Sequence, residues 1–329
     1  MNSKIRLHLS FPPAESQIDY LRSLVDPSVD ITFGSEIEGP EHVDYLAIAR
    51  PTEDLLASCG NLKGVVIPFA GIPEETRAVM LKHPELALYN LHHNVIPVAE
   101  HALGLLLAVA KRHVYHDSAI RQHDWRTRYE KDVSINLAGR TALILGYGNI
   151  GQRLGYLLNA LGIKIMAIRN SIQSSADDFS EVHLSDELDS LLPLSDILVV
   201  ILPLTPKTEG LIGEDEINLL PEGSILVNVG RGKVVDQRAL YNALKSKHLY
   251  GAGIDVWYNY PADVDTRQNK PPADYPFHEL DNIVMSPHRA GGVNSSDTER
   301  LRIEHLAQLI NHAARGEDMP NGVDVYKGY

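Results

Sequence analysis

The sequence predicts an α/β protein of two doubly wound parallel-sheet domains. Three observations carry that prediction. The chain has 329 residues, too long for one ordinary core and suited to two domains of common size. Short β-branched apolar runs alternate with helical stretches nearly throughout. A long apolar helical segment separates two series of such runs. In the first series the predicted strands are Ile5–Leu9, Val29–Phe33, Tyr45–Ala49, Gly64–Pro68 and Leu86–Asn90. One helix is expected from about Val98 to about Gln122, with no proline inside it. The second series is Thr141–Leu145, Ile163–Ile168, Ile197–Leu202, Ser224–Val229, Gly251–Asp255 and Ile283–Ser286. These runs are apolar at successive positions, as strands covered by helices on both faces require. Another helix is expected over roughly Ser295–Arg315. The Pro- and Asp-rich segment Pro261–Phe277 has no apolar period and reads as a loop, far longer than the ordinary about 4–6 residues.

Composition narrows the partners. Hydrophobic residues are 44% and charged residues 22% of the chain, the profile of a soluble globular protein. A formal charge of -13 argues against nucleic acid and anionic membrane surfaces, which need basic patches. The longest apolar run, Ala102–Ala110, is about half of a membrane span and reads as a buried helix. Met1-Asn2-Ser3-Lys4 runs straight into a strand-like stretch, with no visible signal peptide. The single cysteine, Cys59, excludes a disulfide framework, fits a reducing cytoplasm and has no catalytic partner nearby in sequence. His113 and His116 share a helix face, but no acid or thiol completes a metal set there.

Gly146-Tyr147-Gly148-Asn149-Ile150-Gly151 matches G-x-G-x-x-G. The motif alone is weak, but an apolar strand precedes it, a helical run follows, and a second apolar strand comes next, which is the context it needs. The first glycine makes the tight turn, the second lets amides approach a pyrophosphate, and the third allows close helix packing. An NAD site wants an acid at the end of the second strand, to bond the ribose hydroxyls. This chain has Arg169-Asn170-Ser171 there. A guanidinium cannot accept from a 2′-hydroxyl but pairs with a 2′-phosphate, so NADP(H) is the preferred cofactor. The alternative, an NAD site with Arg169 on the surface, stays open.

Three further segments fall at strand C-termini of the same sheet, the edge where such folds bind ligands. They are Asn228-Val229-Gly230-Arg231-Gly232-Lys233-Val234-Val235-Asp236, Asp255-Val256-Trp257-Tyr258-Asn259-Tyr260-Pro261 and Ser286-Pro287-His288-Arg289-Ala290-Gly291-Gly292. Together with the glycine motif, they resemble the D-isomer-specific 2-hydroxyacid dehydrogenases. That family includes phosphoglycerate, D-lactate, glyoxylate/hydroxypyruvate and phosphite dehydrogenases, with formate dehydrogenase as a cousin. The resemblance covers nearly the whole chain. Phe69-Ala70-Gly71-Ile72 resembles the family's substrate-carboxylate loop. Asn94-Val95-Ile96-Pro97-Val98-Ala99-Glu100-His101 resembles its N-x-x-x-V-A-E-H segment. Leu202-Pro203-Leu204-Thr205-Pro206-Lys207-Thr208 resembles its P-L-T-x-x-T segment, and Asn321-Gly322-Val323-Asp324 with Gly328-Tyr329 its tail.

The resemblance implies a Rossmann-type cofactor domain, residues 99–290, inserted in a flavodoxin-like substrate domain, residues 1–98 and 291–329, with a cleft that closes over the substrate. It implies a homodimer and a reaction between NADP(H) or NAD(H) and a small 2-oxo or D-2-hydroxy acid. Arg231 would hold the carboxylate and polarise the carbonyl with a rigid fork of donors. His288 would supply the proton. Amides of Ala70, Gly71 and Ile72, with Phe69 and Asn94, would complete the substrate set. Leu202, Pro203, Thr208, Val229, Gly230, Asp255, His288 and Ala290 would line the cofactor, Asp255 through the nicotinamide carboxamide. Trp257, Tyr258 and Arg289 are expected to line or approach the pocket, and Glu100 and His101 to act in capping or between domains.

One position departs from the pattern. Where the family has a glutamate that pairs with the histidine, this chain has Tyr260. A phenol orients an imidazole but supplies little of the charge that raises its pKa. Either Tyr260 replaces the glutamate as orienter, or the reaction needs no proton relay, as in formate- or phosphite-like hydride transfer, or a carboxylate such as Asp263, Asp265 or Glu279 reaches in. The first is preferred because the remaining site is the ordinary oxo-acid apparatus. A dinucleotide-binding regulator with little turnover is the competing class, and retention of Arg231 and His288 argues against it.

Overall fold

Apolar runs that bury both faces belong in the interior of parallel sheets. The structure, a computed structural model, describes residues 4–131, 133–170, 177–292 and 295–326. Two compact units result: Met1–Asn94 with Gly292–Tyr329, and Val95–Gly291.

The first unit runs β1 (Ile5–Leu9), α1 (Glu15–Leu24), β2 (Val29–Phe33), β3 (Tyr45–Ala47), α2 (Glu53–Ser58), β4 (Gly64–Ile67), α3 (Glu74–Met80) and β5 (Ala87–Asn90). The strands form a parallel sheet of order β2-β1-β3-β4-β5. The two-residue period of a strand separates two cores. Leu7, Leu9, Ala47 and Val66 pack on one face, and Leu46, Val65, Ile67 and Leu88 on the other.

The second unit opens with α4 (Val95–Ala110) and α5 (His113–Arg121). The single helix expected over this stretch is therefore two. Arg112 between them has φ 54, and the Ala110 carbonyl is taken by the Ile135 amide at 3.0 Å instead of by the next helical turn. Arg112 is held in its left-handed position by Asp281 at 3.3 Å and by the Tyr115 ring, 4.9 Å from the guanidinium carbon. There follow β6 (Thr141–Leu145), α6 (Asn149–Ala160), β7 (Lys164–Ile168), β8 (Ser180–His183), α7 (Leu188–Leu191), β9 (Ile197–Val200), α8 (Glu214–Leu219), β10 (Ser224–Asn228), α9 (Gln237–Lys245), β11 (Leu249–Ile254) and β12 (Ile283–Met285). The parallel order is β12-β11-β10-β9-β6-β7-β8. The order reverses beside β6, so the glycine motif after β6 stands at the switch point where such sheets bind ligands. Residues α4 buries at helical spacing, among them Ala102, Leu105, Leu106 and Val109, pack on one sheet face with Ile144, Val199 and Val227. The opposite face carries Leu143, Leu198 and Leu226, with Leu240 of α9 packed in the same cluster. Among the described residues no helix is long and apolar enough to cross a membrane.

The chain then returns to the first unit as α10 (Ser296–Arg315). Its Ile303, Leu306, Ala307 and Ile310 cover the β1 and β3 face carrying Leu7, Leu9 and Ala47. The tail pairs back antiparallel, Gly322 opposite Tyr89 of β5.

Candidate active site at the strand ends of the second unit

The loop after β6 has the shape its glycines predict. Gly146 sits at φ 102, and its amide and that of Tyr147 both donate to the Ile168 carbonyl at 3.1 Å. A side chain at Gly151 would collide with the Gly146 carbonyl, whereas a Cβ on Gly148 would have nothing within 4 Å. The second glycine thus faces open space at the α6 N-terminus, where the helix dipole favours an anion. These residues fit the pyrophosphate of a dinucleotide. Tyr147 fits only through its backbone, because its ring is 2% exposed and its hydroxyl donates to Asp177 at 2.8 Å. Asn149 is exposed and Ile150 partly buried at the start of α6.

At the end of β7, the Arg169 amide donates to the His183 carbonyl at 3.1 Å. No carboxylate among the described residues pairs with its guanidinium within 4.0 Å. Asn170 beside it is exposed, and Ser171 lies outside the described residues. After β9, Thr208 closes its own turn, donating to the Pro203 carbonyl at 2.6 Å and accepting from the Thr205 amide at 2.8 Å.

Arg231 follows β10 in a loop wedged between neighbours. A Cβ on Gly230 would lie 2.7 Å from the Leu202 carbonyl, and one on Gly232 would collide with the Trp257 carbonyl. Asn228 ties the loop from within, its side chain donating to the Arg231 carbonyl and accepting from the Gly230 amide. Arg231 is partly buried, its guanidinium donates to the Gly230 carbonyl at 2.7 Å, and burial pushes it below its ordinary value. Among the described residues no carboxylate pairs with it within 4.0 Å. A desolvated cation left without a protein anion is a site for an anionic ligand.

His288 is presented by a turn that Asp255 builds. Its φ is 56, unusual for a residue with a side chain. The turn is held because the Asp255 backbone carbonyl accepts the His288 amide at 2.8 Å. The Asp255 carboxylate accepts the Arg289 amide at 2.7 Å and the Ala290 amide at 2.9 Å. Ser286 Oγ donates to the same carboxylate at 2.5 Å, and His101 Nε2 of α4 stands 3.4 Å from it and 3.0 Å from Ser286 Oγ. Burial would raise the Asp255 carboxyl, but bonds from His101, Ser286, Ala290 and Arg289 hold it at about 2. The side chain expected to meet a nicotinamide carboxamide is 0% exposed and fully engaged by this turn. The Val229 and Ala290 carbonyls, by contrast, accept no hydrogen bond from the described residues. His101, expected in capping or between domains, belongs to the Asp255 turn; its only sequence signal was the N-x-x-x-V-A-E-H segment.

Tyr260 stands against the histidine, its hydroxyl 2.9 Å from His288 Nδ1. The Trp257 amide donates to the same hydroxyl oxygen at 3.1 Å. That oxygen therefore turns its proton toward Nδ1, which leaves the neutral His288 with its proton on Nε2. Burial and the Arg231 guanidinium hold His288 below the ordinary imidazole value, against the pull of Asp255. Burial raises the Tyr260 phenol, so it stays protonated at neutral pH. Asp263, a loop carboxylate considered as an alternative partner, is engaged with Thr266. Trp257 and Tyr258, expected near a pocket, lie in the core instead. Trp257 is 6% exposed with Nε1 on the Ser286 carbonyl, and the Tyr258 hydroxyl donates to the Val235 carbonyl at 2.9 Å. Arg289 is exposed.

On the first unit, Phe69 and Ile72 anchor their loop against the core around Val65 and Ile67. The amides of Ala70, Gly71 and Ile72 donate to no acceptor among the described residues. Three adjacent unused donors suit a carboxylate. Asn94 Oδ1 is buried and has no hydrogen-bond partner among the described residues.

Residues 103–290 match the family described as D-isomer specific 2-hydroxyacid dehydrogenase, NAD binding domain. D-3-phosphoglycerate dehydrogenase of Methanocaldococcus jannaschii is 27% identical over 98% of this chain and 60% of its own length. Glyoxylate reductase of Korarchaeum cryptofilum is 36% identical over 69% of this chain and 65% of its own. The chain spans less than two thirds of the length of either relative. The crystal structure of a D-isomer specific 2-hydroxyacid dehydrogenase from Xanthobacter autotrophicus Py2, in complex with NADPH and MES, is 26% identical. It superposes with a TM-score of 0.78 over 99% of this chain and 100% of that one. The glycine loop, the uncompensated arginine and the histidine turn thus lie on the fold and within the matched segment of one family, and the chain belongs to the D-isomer-specific 2-hydroxyacid dehydrogenases.

Proposed function

We propose that the chain transfers a hydride between a nicotinamide dinucleotide and a small 2-oxo acid or its D-2-hydroxy acid. The observation that carries this reading is Arg231, a partly buried cation with no carboxylate partner among the described residues, close enough to His288 to lower its pKa. When bound, the dinucleotide supplies the hydride for the carbonyl carbon. Arg231 binds the substrate carboxylate and polarises the carbonyl, which concentrates positive charge where negative charge develops. His288 donates a proton to the carbonyl oxygen from Nε2 and takes it back in the reverse direction. Tyr260 orients the imidazole through Nδ1. Asp255 acts as a positioning residue, fixing the turn that presents His288.

The Gly148–Ile150 amides hold the pyrophosphate, and the Val229 and Ala290 carbonyls take the carboxamide that Asp255 does not reach. Arg169, with no carboxylate partner among the described residues, favours the 2′-phosphate of NADP(H) over NAD(H). The Ala70–Ile72 amides, with Phe69 and Asn94 beside them, are the first unit's carboxylate donors. The homodimer rests on the family resemblance, and the cytoplasmic location on the single cysteine.

The test is NADPH and NADH oxidation with glyoxylate, hydroxypyruvate, pyruvate and a phosphonate-bearing oxo acid. Turnover that disappears in Arg231→Leu supports the reading. Tight dinucleotide binding with no turnover of any of these acids refutes it in favour of a regulator. The neutral phenol at Tyr260 favours one second reading, formate oxidation, which needs no proton relay; formate-dependent NAD(P)+ reduction without carbonyl reduction would establish it.

A further inference from the structure

The loop holding the Ala70, Gly71 and Ile72 amides is tied to the far end of the chain by a closed circuit of hydrogen bonds. The Asn90 side-chain amide, 6% exposed at the end of β5, donates to the Ala70 carbonyl at 2.7 Å. A carbonyl only accepts, so the Asn90 amide orientation is fixed and its Oδ1 faces the other way. His92 Nε2 lies 2.8 Å from that Oδ1 and must therefore carry the proton. The backbone amide of His92 donates to His305 Nδ1 of α10 at 2.9 Å. An imidazolium has no acceptor, so His305 is neutral with its proton on Nε2. That nitrogen stands 3.0 Å from Asn321 Nδ2; two donors cannot face one another, so the Asn321 amide is assigned the flipped orientation, with its oxygen accepting from Nε2. The circuit closes where the Asn90 backbone N–H donates to the Asn321 carbonyl at 3.3 Å. Asn321 sits at φ 61, and the Val323 amide beyond it donates to the Leu88 carbonyl at 2.8 Å.

The consequence for the loop follows from peptide geometry. In a trans peptide the N–H points opposite to the C=O it is bonded to. Pinning the Ala70 carbonyl on Asn90 therefore turns the Gly71 N–H away from the sheet.

We propose that His305 and Asn321 are positioning residues for the Ala70–Ile72 donors, acting through His92 and Asn90 to fix the peptide that aims Gly71 N–H at the substrate carboxylate. The proposal rests on the reading of these amides as carboxylate donors. A tail and a helix distant in sequence then set substrate affinity without touching substrate.

The test compares His305→Leu, which removes the acceptor for the His92 amide, with His305→Asn, whose Oδ1 can replace Nδ1. Asn321→Gly keeps the left-handed backbone and removes only the amide side chain. In 15N–1H spectra, the Gly71 and Ile72 resonances should shift in His305→Leu and Asn321→Gly, return in His305→Asn, and leave the second unit's resonances in place. In kinetics, KM for the oxo acid should rise about ten-fold in His305→Leu, as loss of one ordering hydrogen bond predicts. KM for NADPH and kcat should stay within about two-fold. Unmoved loop resonances in both His305→Leu and Asn321→Gly overturn the proposal, as does an equal rise in both KM values or failure of His305→Asn to restore the loop. Wild-type protein that turns over no oxo acid sinks the catalytic reading, while the spectra still judge the relay.

Discussion

Replacing Tyr260 by glutamate probes the least ordinary feature of the site. In the structure the Trp257 amide occupies the Tyr260 oxygen, so the hydroxyl proton faces His288 Nδ1. Protonating the imidazole puts a second proton on that line and forces the hydroxyl to rotate. The pair therefore favours neutral His288, as do burial and Arg231. Carbonyl reduction consumes the protonated form, so kcat/KM falls as pH rises through the His288 pKa. A lowered pKa places that fall on the acid side of the ordinary imidazole value. In Tyr260→Glu a carboxylate stands about 4 Å from the imidazolium. Their attraction is about 1 kcal/mol in bulk water and about 4 kcal/mol at an effective dielectric of 20. Tyr260 is 48% exposed, which places the pair toward the lower half of that range. At about 1.4 kcal/mol per pH unit, the limb moves upward by about 1–2 units. Tyr260→Gln keeps a hydrogen-bonding group without the charge and should leave the limb within about half a unit. The assay is kcat/KM against pH at saturating NADPH. A limb that Tyr260→Glu does not move would show that His288 is not the titrating acid, or that Tyr260 does not set its pKa.

Three other outcomes are expected. Arg231→Lys loses the planar fork and should lower kcat/KM by about 10²–10³, with NADPH affinity measured by titration unchanged. Asp255, held at about 2, well below the ordinary carboxylate range, contributes on the order of 2 kcal/mol of stability. That contribution is complete above about pH 4 and is lost as pH falls toward 2, so thermal melts over this window should show a steep acid arm that Asp255→Asn flattens. Arg169→Asp should change the NADPH-to-NADH affinity ratio about 10–100-fold toward NADH, by fluorescence titration; an unchanged ratio would remove Arg169 from the 2′-phosphate.

The parallel sheets were legible because runs such as Ile197–Val200 and Gly64–Ile67 are buried on both faces and so carry no polar alternation. β8 was missed for the opposite reason: Ser180-Glu181-Val182-His183 is an edge strand with polar side chains and no apolar run. The break at Arg112 left no trace because Ile135 and Asp281, which take the Ala110 carbonyl and the Arg112 guanidinium, are partners distant in sequence. In the site, residue types at strand ends marked Arg231, His288 and Tyr260, and the place of the tyrosine was readable from the family pattern. What each side chain touches was not. Asp255 looked like a ligand-facing acid because a strand end predicts position but not the four donors that surround it. Trp257 and Tyr258 looked like pocket residues because aromatic character does not distinguish a wall from a core.

The first unit is assembled from two stretches of chain separated by about 200 residues of the second. Before α10 arrives, the face carrying Leu7, Leu9 and Ala47 has no cover from Ile303, Leu306 and Ile310. At synthesis rates of about 5–20 residues per second, that face waits about 10–40 s on the ribosome while the second unit, continuous in sequence, emerges and completes its own core. The nascent chain therefore carries that sheet face uncovered by α10 through most of its own translation.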